Sequence, residues 1–286
     1  MQIETGNKKT NAHRKLSRMT MNHIMRKIYI YGENPQVISV LREVIKDLMN
    51  SQERTEYANG TTYGYAGVIQ DAEELLERVR KSIKPPVVML NIQPGRHVLL
   101  LQALREIRTG VAIAVFSPEI LYPDRIVARC FNCTLHPDTD VAELNMTRCI
   151  ETTLLKGELK YRMLTSGVRK ESLIPELTRR MSRTIKDLDY ILHISLLSES
   201  LTRKERTLLS HLREGRSVRQ TAALTRAGHY TVGMWYKNLC ERLTLQYTPT
   251  DLAENFILSP DRQINPFGEV ITVGAGKNEL PRIRRA

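Results

Sequence analysis

From residue 27 to about residue 156, short β-type runs alternate with amphipathic helical stretches, and the connections between them are short. Strands separated by helices in this rhythm imply a parallel sheet covered by helices on both faces. Lys27 to Tyr31 is a strand run, followed by the turn residues Gly32-Glu33-Asn34-Pro35 and a helix from Val37 to Leu48. A weaker strand over 63–69 precedes a helix from Asp71 to about Ser82. Pro85-Pro86 introduces the apolar run Val87-Val88-Met89-Leu90, and a helix opened by Gly95 runs through Leu99-Leu100-Leu101 to Ile107, with Gly110 closing it. Val111 to Phe116 and Phe131 to Leu135 read as the last two strands, and a helix from Val141 to about Leu155 completes the unit.

Outside this unit the chain divides by composition. Residues 1–26 are polar and basic without apolar periodicity and read as a disordered arm, with Met21 and Met25 standing as alternative starts just before the first strand. Residues 157–197 read as a helical linker, rich in paired bases and with Ile/Leu positions from Ile185 to Leu197. Residues 198–258 carry helix punctuation, and 259–286, with Pro, Gly and Arg, read as a flexible tail. The formal charge of +12 sits at the ends. Residues 1–27 hold seven bases and one acid, residues 201–286 fourteen and eight, and the stretch between them twenty-two of each. A basic module beside a neutral domain is the footprint of a polyanion binder. No apolar run is long enough to span a bilayer, and four cysteines are too few for a disulfide scaffold, so a reducing cytoplasm and no membrane partner are expected.

The C-terminal punctuation is the more telling. Thr202-x-x-Glu205 and Ser217-x-x-Gln220 are capping boxes, in which two side chains each satisfy an orphan backbone N–H of the other. The first starts a helix with Leu208, Leu209 and Leu212 inside and Gly215 at its end. The second starts a short helix with Val218, Thr221, Ala222 and Leu224 as its inner positions. Gly228 ends the next turn, and a third helix, about His229 to Leu243, carries Val232, Trp235 or Tyr236, Leu239 and Leu243 as its apolar stripe. Thr248-Pro249 reads as the start of a fourth helix with Leu252, Phe256 and Ile257. Three short helices with a tight turn before the third form a helix-turn-helix, whose third helix enters the DNA major groove. Opposite its stripe stand Tyr230, Gly233, Met234, Lys237 and Glu241, while Arg216, Ser217 and Arg219 sit at the preceding helix start, where backbone N–H groups favour phosphate.

Leu201 to Arg206, with Leu209, Gly215, Ser217, Ala222, Thr231-Val232, Arg242 and Leu243 at their spacings, resemble the LuxR/FixJ-type helix-turn-helix. The resemblance implies a four-helix DNA-binding domain in which Thr231, Lys237 and the residues around Tyr230 face DNA. The expected DNA-binding set is Arg216, Ser217, Arg219, His229, Tyr230, Thr231, Gly233, Met234, Lys237 and Asn238. Departures fall mainly on the second helix, where Gln220-Thr221-Ala222 replaces the usual Glu-Ile-Ala and Thr225 a usual Leu. Gly228 stands for a usual Ser, and Trp235 for a frequent His.

The order of elements over 27–156 is similar to a response-regulator receiver, a flavodoxin-like unit. In that comparison the phospho-accepting aspartate is replaced by Asn91, the acidic pair by Gly32-Glu33 and the lysine by His136, while Ser117 keeps the hydroxyl. The resemblance thus implies a degenerate site (Glu33, Asn91, Ser117, His136) that is not phosphorylated, in a domain used for dimerisation or partner binding. The partners expected are double-stranded DNA and a second chain, as a homodimer or as a heterodimer with another LuxR-type regulator. No enzyme activity, cofactor or metal is implied. Cys130, Cys133, His136 and Cys149 are set aside as zinc ligands because strand alternation points them apart, and Gly274 to Lys277 lacks the flanking elements of a phosphate loop. An adaptor that binds other regulators without DNA is the alternative function.

Overall fold

The computed structural model describes residues 25–51, 62–159, 172–245 and 255–267. The first unit runs β1 (Arg26–Gly32), α1 (Pro35–Ser51), β2 (Tyr63–Ile69), α2 (Ala72–Lys81), β3 (Val87–Asn91), α3 (Val98–Ile107), β4 (Ala112–Ser117), α4 (Tyr122–Cys130), β5 (Thr134–Pro137) and α5 (Met146–Glu158). All strand pairs are parallel, in the order β2-β1-β3-β4-β5, which is the flavodoxin-like order. Alternate strand residues divide the core. Ile28, Ile30, Val87, Met89, Ala112 and Ala114 pack with Leu41, Ile45, Ile150 and Leu154 on the α1/α5 face. Val88, Leu90, Ile113 and Val115 face the opposite cluster, with α2, α3 and α4.

Three elements differ from the sequence expectation. The strand expected over Phe131 to Leu135 is β5, Thr134–Pro137, because a helix not foreseen, α4, occupies the chain before it. Asn132 adopts φ 52° and the N–H of Cys133 reaches back to the Ala128 carbonyl, so Phe131 to Cys133 close a helix end. The helix expected from Val141 starts at Met146, where Asn145 accepts from the Arg148 N–H. The turn before the third helix of the basic module is closed at Arg226, in the left-handed region at φ 53°, with Gly228 capping the next helix.

The second unit begins with α6 (Leu173–Ser198), within the expected linker. Its buried residues Leu173, Leu177, Met181, Ile185, Leu188, Leu192 and Leu196 recur at three- and four-residue spacing and form one stripe. The stripe lies on α3 and α4, which explains why α3 is buried nearly all round, with the sheet on one side and α6 on the other. Each such large apolar side chain contributes roughly 1.5–3 kcal/mol when buried. Then come α7 (Arg203–Arg213), α8 (Val218–Thr225) and α9 (His229–Arg242). Both capping boxes form: Thr202 with Glu205, and Ser217 with Gln220. Leu208, Leu209, Leu212, Ala222, Val232, Tyr236 and Leu239 join the same continuous cluster that fills the α3/α4 face, so one core runs through both units.

The first part of the expected fourth helix, residues 248–254, lies outside the described residues, as do the arm before Met25 and the tail after Phe267. Phe256, expected in that helix, sits in a turn, fully buried, edge-on to Tyr236 at 6.4 Å. The first part of the expected flexible tail is packed. Residues 255–267 return across the first unit: the Ile264 N–H donates to the Arg96 carbonyl at 2.8 Å and Gln263 Nε2 to the Gly95 carbonyl at 2.7 Å. Backbone donors and a short apolar patch, Phe256 and Leu258, hold this strap where composition alone suggested a loose end.

Candidate nucleic-acid interface and the Asn91 row

The helix-turn-helix arises locally. Glu205 closes the first capping box and also pairs with Arg242 Nε at 3.2 Å, which ties the start of α7 to the end of α9. Burial raises the Glu205 carboxyl, but the Thr202 bonds and Arg242 outweigh it and hold the group below its ordinary value. Of the two aromatics that the stripe left open, Tyr236 is the buried one. Trp235 is half-buried beneath the Lys204 ammonium, 5.7 Å from the ring centre. Asn255 donates to the Tyr236 hydroxyl at 3.1 Å.

Opposite this core, the face expected to meet DNA is open among the described residues. Ser217, Arg219, His229, Tyr230, Thr231, Met234, Lys237 and Asn238 are exposed, and Arg216 and Gly233 are partly so. Tyr230 is 81% exposed, an unusual place for so large a ring. Lys237 faces Glu241 loosely at 3.8 Å. Arg216 is less free, bonded to His211 Nδ1 and paired with Glu214 at 2.7 Å. Leu224, expected as an inner position of α8, is 57% exposed, which widens the apolar part of this surface. Gly233 lies inside α9, where glycine costs roughly 0.5–1 kcal/mol relative to alanine. A Cβ there would meet nothing within 4 Å, so packing within the chain does not call for the missing side chain.

The second set of expected residues converges at the carboxyl ends of the strands. Register places Gly32 beside Asn91, Asn91 beside Phe116, and Phe116 beside His136, in one row. Asn91 is buried and its amide is fully engaged. Its Oδ1 accepts from the Asn34 N–H at 3.0 Å, and its Nδ2 donates to the Phe116 carbonyl at 3.1 Å and to Asp138 Oδ2 at 3.4 Å. A carboxylate there would set an oxygen against those two acceptors, so the surroundings suit the amide. Glu33 turns to His97 Nε2 at 3.1 Å, a bond that lowers its carboxyl, and His97 Nδ1 meets the Gln93 carbonyl at 2.9 Å. Gly32 cannot carry the missing acid, since a Cβ would fall 2.6 Å from Asn91 Cβ and 2.7 Å from its carbonyl oxygen. The Ser117 hydroxyl is buried and bonded to the Glu119 carbonyl at 2.7 Å. His136 stacks on Phe116 and faces Cys149 Sγ at 3.5 Å; burial holds its ring below its ordinary pKa and lifts the Cys149 thiol to about 11.

Acyl phosphate formation needs a carboxylate nucleophile, and this row offers an amide. Treatment of the protein with acetyl phosphate and magnesium is expected to leave its intact mass unchanged. A labile gain of one phosphoryl group mapped to residues 27–156 would overturn that expectation.

Several structural residues escaped the sequence reading. Asp124 accepts from the Gly95 N–H at 2.7 Å and the Leu121 N–H at 2.9 Å, which fixes the loop after β3 to the start of α4. Burial is the largest influence on it and raises its pKa to about 6. Asp189 on α6 holds Arg213 at 2.7 Å and the Leu258 N–H at 3.0 Å. Arg125 on α4 donates to the Leu243 carbonyl at 2.7 Å and to Thr244 Oγ1 at 2.9 Å, just past α9. Pro123-Asp124 after Leu121 was a usable helix-start signal for α4; the other contacts join residues too distant in sequence to leave one.

No family model matches the chain, and no curated protein matches it. Among solved structures, it is similar to RcsB from Salmonella enterica serovar Typhimurium bound to promoter P1flhDC. Identity is 13% over 80% of this chain and 97% of that one, at a TM-score of 0.40. It is also similar to a structure of two RcsB dimers bound to two parallel DNAs (14%, 80% and 97%, TM-score 0.44). Full-length FixJ from B. japonicum is a third (14%, 80% and 95%, TM-score 0.32). At these identities and scores the functional reading rests on the residues of this chain. Among the described residues, no helix is long and apolar enough to cross a membrane.

Proposed function

We propose that the chain is a sequence-specific DNA-binding transcription regulator that reads double-stranded DNA through a LuxR-type helix-turn-helix over residues 198–258. The observation that carries this reading is the open face of α9 and of the α8 start. Arg219, Ser217, Tyr230, Thr231, Met234, Lys237 and Asn238 are all exposed, while the stripe behind them is sealed in the core. Backbone N–H groups at the α8 start, with Arg216 and Arg219, take phosphate. Lys237 takes phosphate or a guanine edge, Asn238 is an adenine-type reader, and Tyr230 and Met234 offer apolar contact to thymine methyls. The receiver-like unit then acts without aspartyl phosphorylation, as a dimerisation or partner-binding element. Tyr190, Ile194 and Leu197 leave an exposed apolar row on α6, at spacings of four and three, which supports pairing of two chains through the end of that helix.

The test is a DNA titration at two salt concentrations, with variants whose circular dichroism matches the parent. Losing a phosphate contact weakens all sequences alike and lowers the salt slope by about one, whereas losing a base contact costs roughly 1–3 kcal/mol at one position. Arg219→Ala is expected to weaken specific and non-specific binding together. Lys237→Ala is expected to weaken the specific site by about tenfold or more, about 1.4 kcal/mol, in a complex that contains two chains. Undiminished binding by the Arg219→Ala, Lys237→Ala double variant would remove α9 as the reader and leave the adaptor reading.

A further inference from the structure

A cavity of about 460 Å³ opens between α4, β5 and the end of α5. Its floor is apolar, with Ala128, Leu135 and Leu159 among its lining. Arg125, Arg129 and Lys156 stand around it, and no acidic side chain lines it. The volume lies within the range of pockets that take small molecules, about 300–1,000 Å³.

Among the described residues none of the three cations pairs with a carboxylate. Arg129 donates to Ser195 Oγ at 2.8 Å, Lys156 to the Cys133 carbonyl at 3.0 Å, and Arg125 to the Leu243 carbonyl and to Thr244. The nearby carboxylate, Glu199, is taken by the Tyr122 hydroxyl at 2.8 Å. An ammonium has three donors and a guanidinium five. Arg129 and Lys156 each make one bond here, and both to uncharged oxygens. Three cations over an apolar floor without a counter-charge are complementary to a molecule with an anionic head and an apolar body. Neither solvent nor a neutral hydrophobe matches both halves of that surface.

We propose that this cavity binds a small amphipathic carboxylate, its head held by Arg129 and Lys156 and its acyl or aryl body laid on Ala128, Leu135 and Leu159. Arg125 gives the site its reach. The guanidinium that borders the cavity also fastens α4 to the turn after α9, so a carboxylate head competes with the Leu243 and Thr244 oxygens for its N–H groups.

The test is calorimetric titration of the full chain with decanoate and, as the neutral counterpart, decanol. Saturable decanoate binding is expected, with decanol at least tenfold weaker. A doubly substituted Arg129→Glu, Lys156→Glu chain is expected to bind decanoate at least tenfold more weakly. If that chain fails a circular dichroism and melting check, Arg129→Gln, Lys156→Gln, which leaves the contacts polar, is read in its place. Absence of decanoate binding, equal binding of decanol, or unchanged binding by the substituted chain would each overturn the proposal. So would a parent dimer that the substitutions dissociate in sedimentation, since a second copy would then occupy the groove. No DNA enters the titration, so its failure leaves the DNA-binding reading standing.

Discussion

Arg105→Ala is expected to destabilise the receiver-like unit by at least about 3 kcal/mol, although no carboxylate pairs with this arginine among the described residues. Arg105 is 4% exposed, inside α3. Its Nε donates to the Phe131 carbonyl at 2.6 Å, its Nη2 to the Asn132 carbonyl at 2.8 Å, and its Nη1 to the Val111 carbonyl. Two of these acceptors are at the C-terminal end of α4 and the third enters β4, so one planar fork joins three elements. A cation is also favoured at a helix C-terminus by the helix dipole. Truncation strands three carbonyls at about 1–3 kcal/mol each and leaves a cavity where the stem had been. Arg105→Lys keeps the charge but not the fork, and should fall between the two. Denaturant titration checks this: the midpoint should drop with the slope retained. A shift under about 1 kcal/mol for Arg105→Ala would mean that water replaces the guanidinium at little cost.

Val232→Asp is expected to unfold the helix-turn-helix, with a loss on the order of 4 kcal/mol or more. Val232 is fully buried, in the cluster that contains Leu208, Leu212, Ala222 and Leu239. A carboxylate set among those apolar side chains would be ionised at a heavy desolvation cost or held neutral at a cost. Val232→Ala, which leaves only a small cavity, should cost far less. The chain has a single tryptophan, Trp235, one turn along the same helix, so its fluorescence reports on this module rather than on the sheet. The variant should show shifted tryptophan emission before any denaturant is added, and binding lost to all DNA sequences. Parent-like emission and a parent-like melt would place Val232 outside the core of the module.

The sheet and the three short helices were legible because their signals are local. Val87-Val88-Met89-Leu90 is buried on both faces and reads as an apolar run, and the capping boxes at Thr202 and Ser217 mark helix starts within four residues. Helix α4 was missed because its apolar face, Ile126, Val127 and Ala128, is interrupted by Arg125 and Arg129, whose partners lie more than sixty residues away. The Asn91 row was legible as positions but not as bonds. Asn91 shows in sequence that an amide stands there, while the pairing of Glu33 with His97 depends on where α3 begins. Arg105 looks in sequence like any exposed helix arginine, and its burial follows only from the end of α4 and the entry to β4, which bring the Phe131, Asn132 and Val111 carbonyls to it. Trp235 and Tyr236 were ambiguous for a simpler reason: neighbours on a helix differ by 100° or so, and either can face the core.

Under the proposed function, the strap formed by residues 255–267 would bear on DNA shape. Its bonds to Gly95 and Arg96, those of Arg125 to the turn after α9, and the packing of α6 on α3 and α4 give the second unit several separate moorings on the sheet unit. A reader moored in this way has little swivel of its own. Two copies seated on neighbouring half-sites would present their α9 helices at an angle set by the proteins, and the duplex would have to bend or twist to meet them. Base steps that never touch the protein would then contribute to choosing the operator, because flexible steps yield more cheaply than stiff tracts.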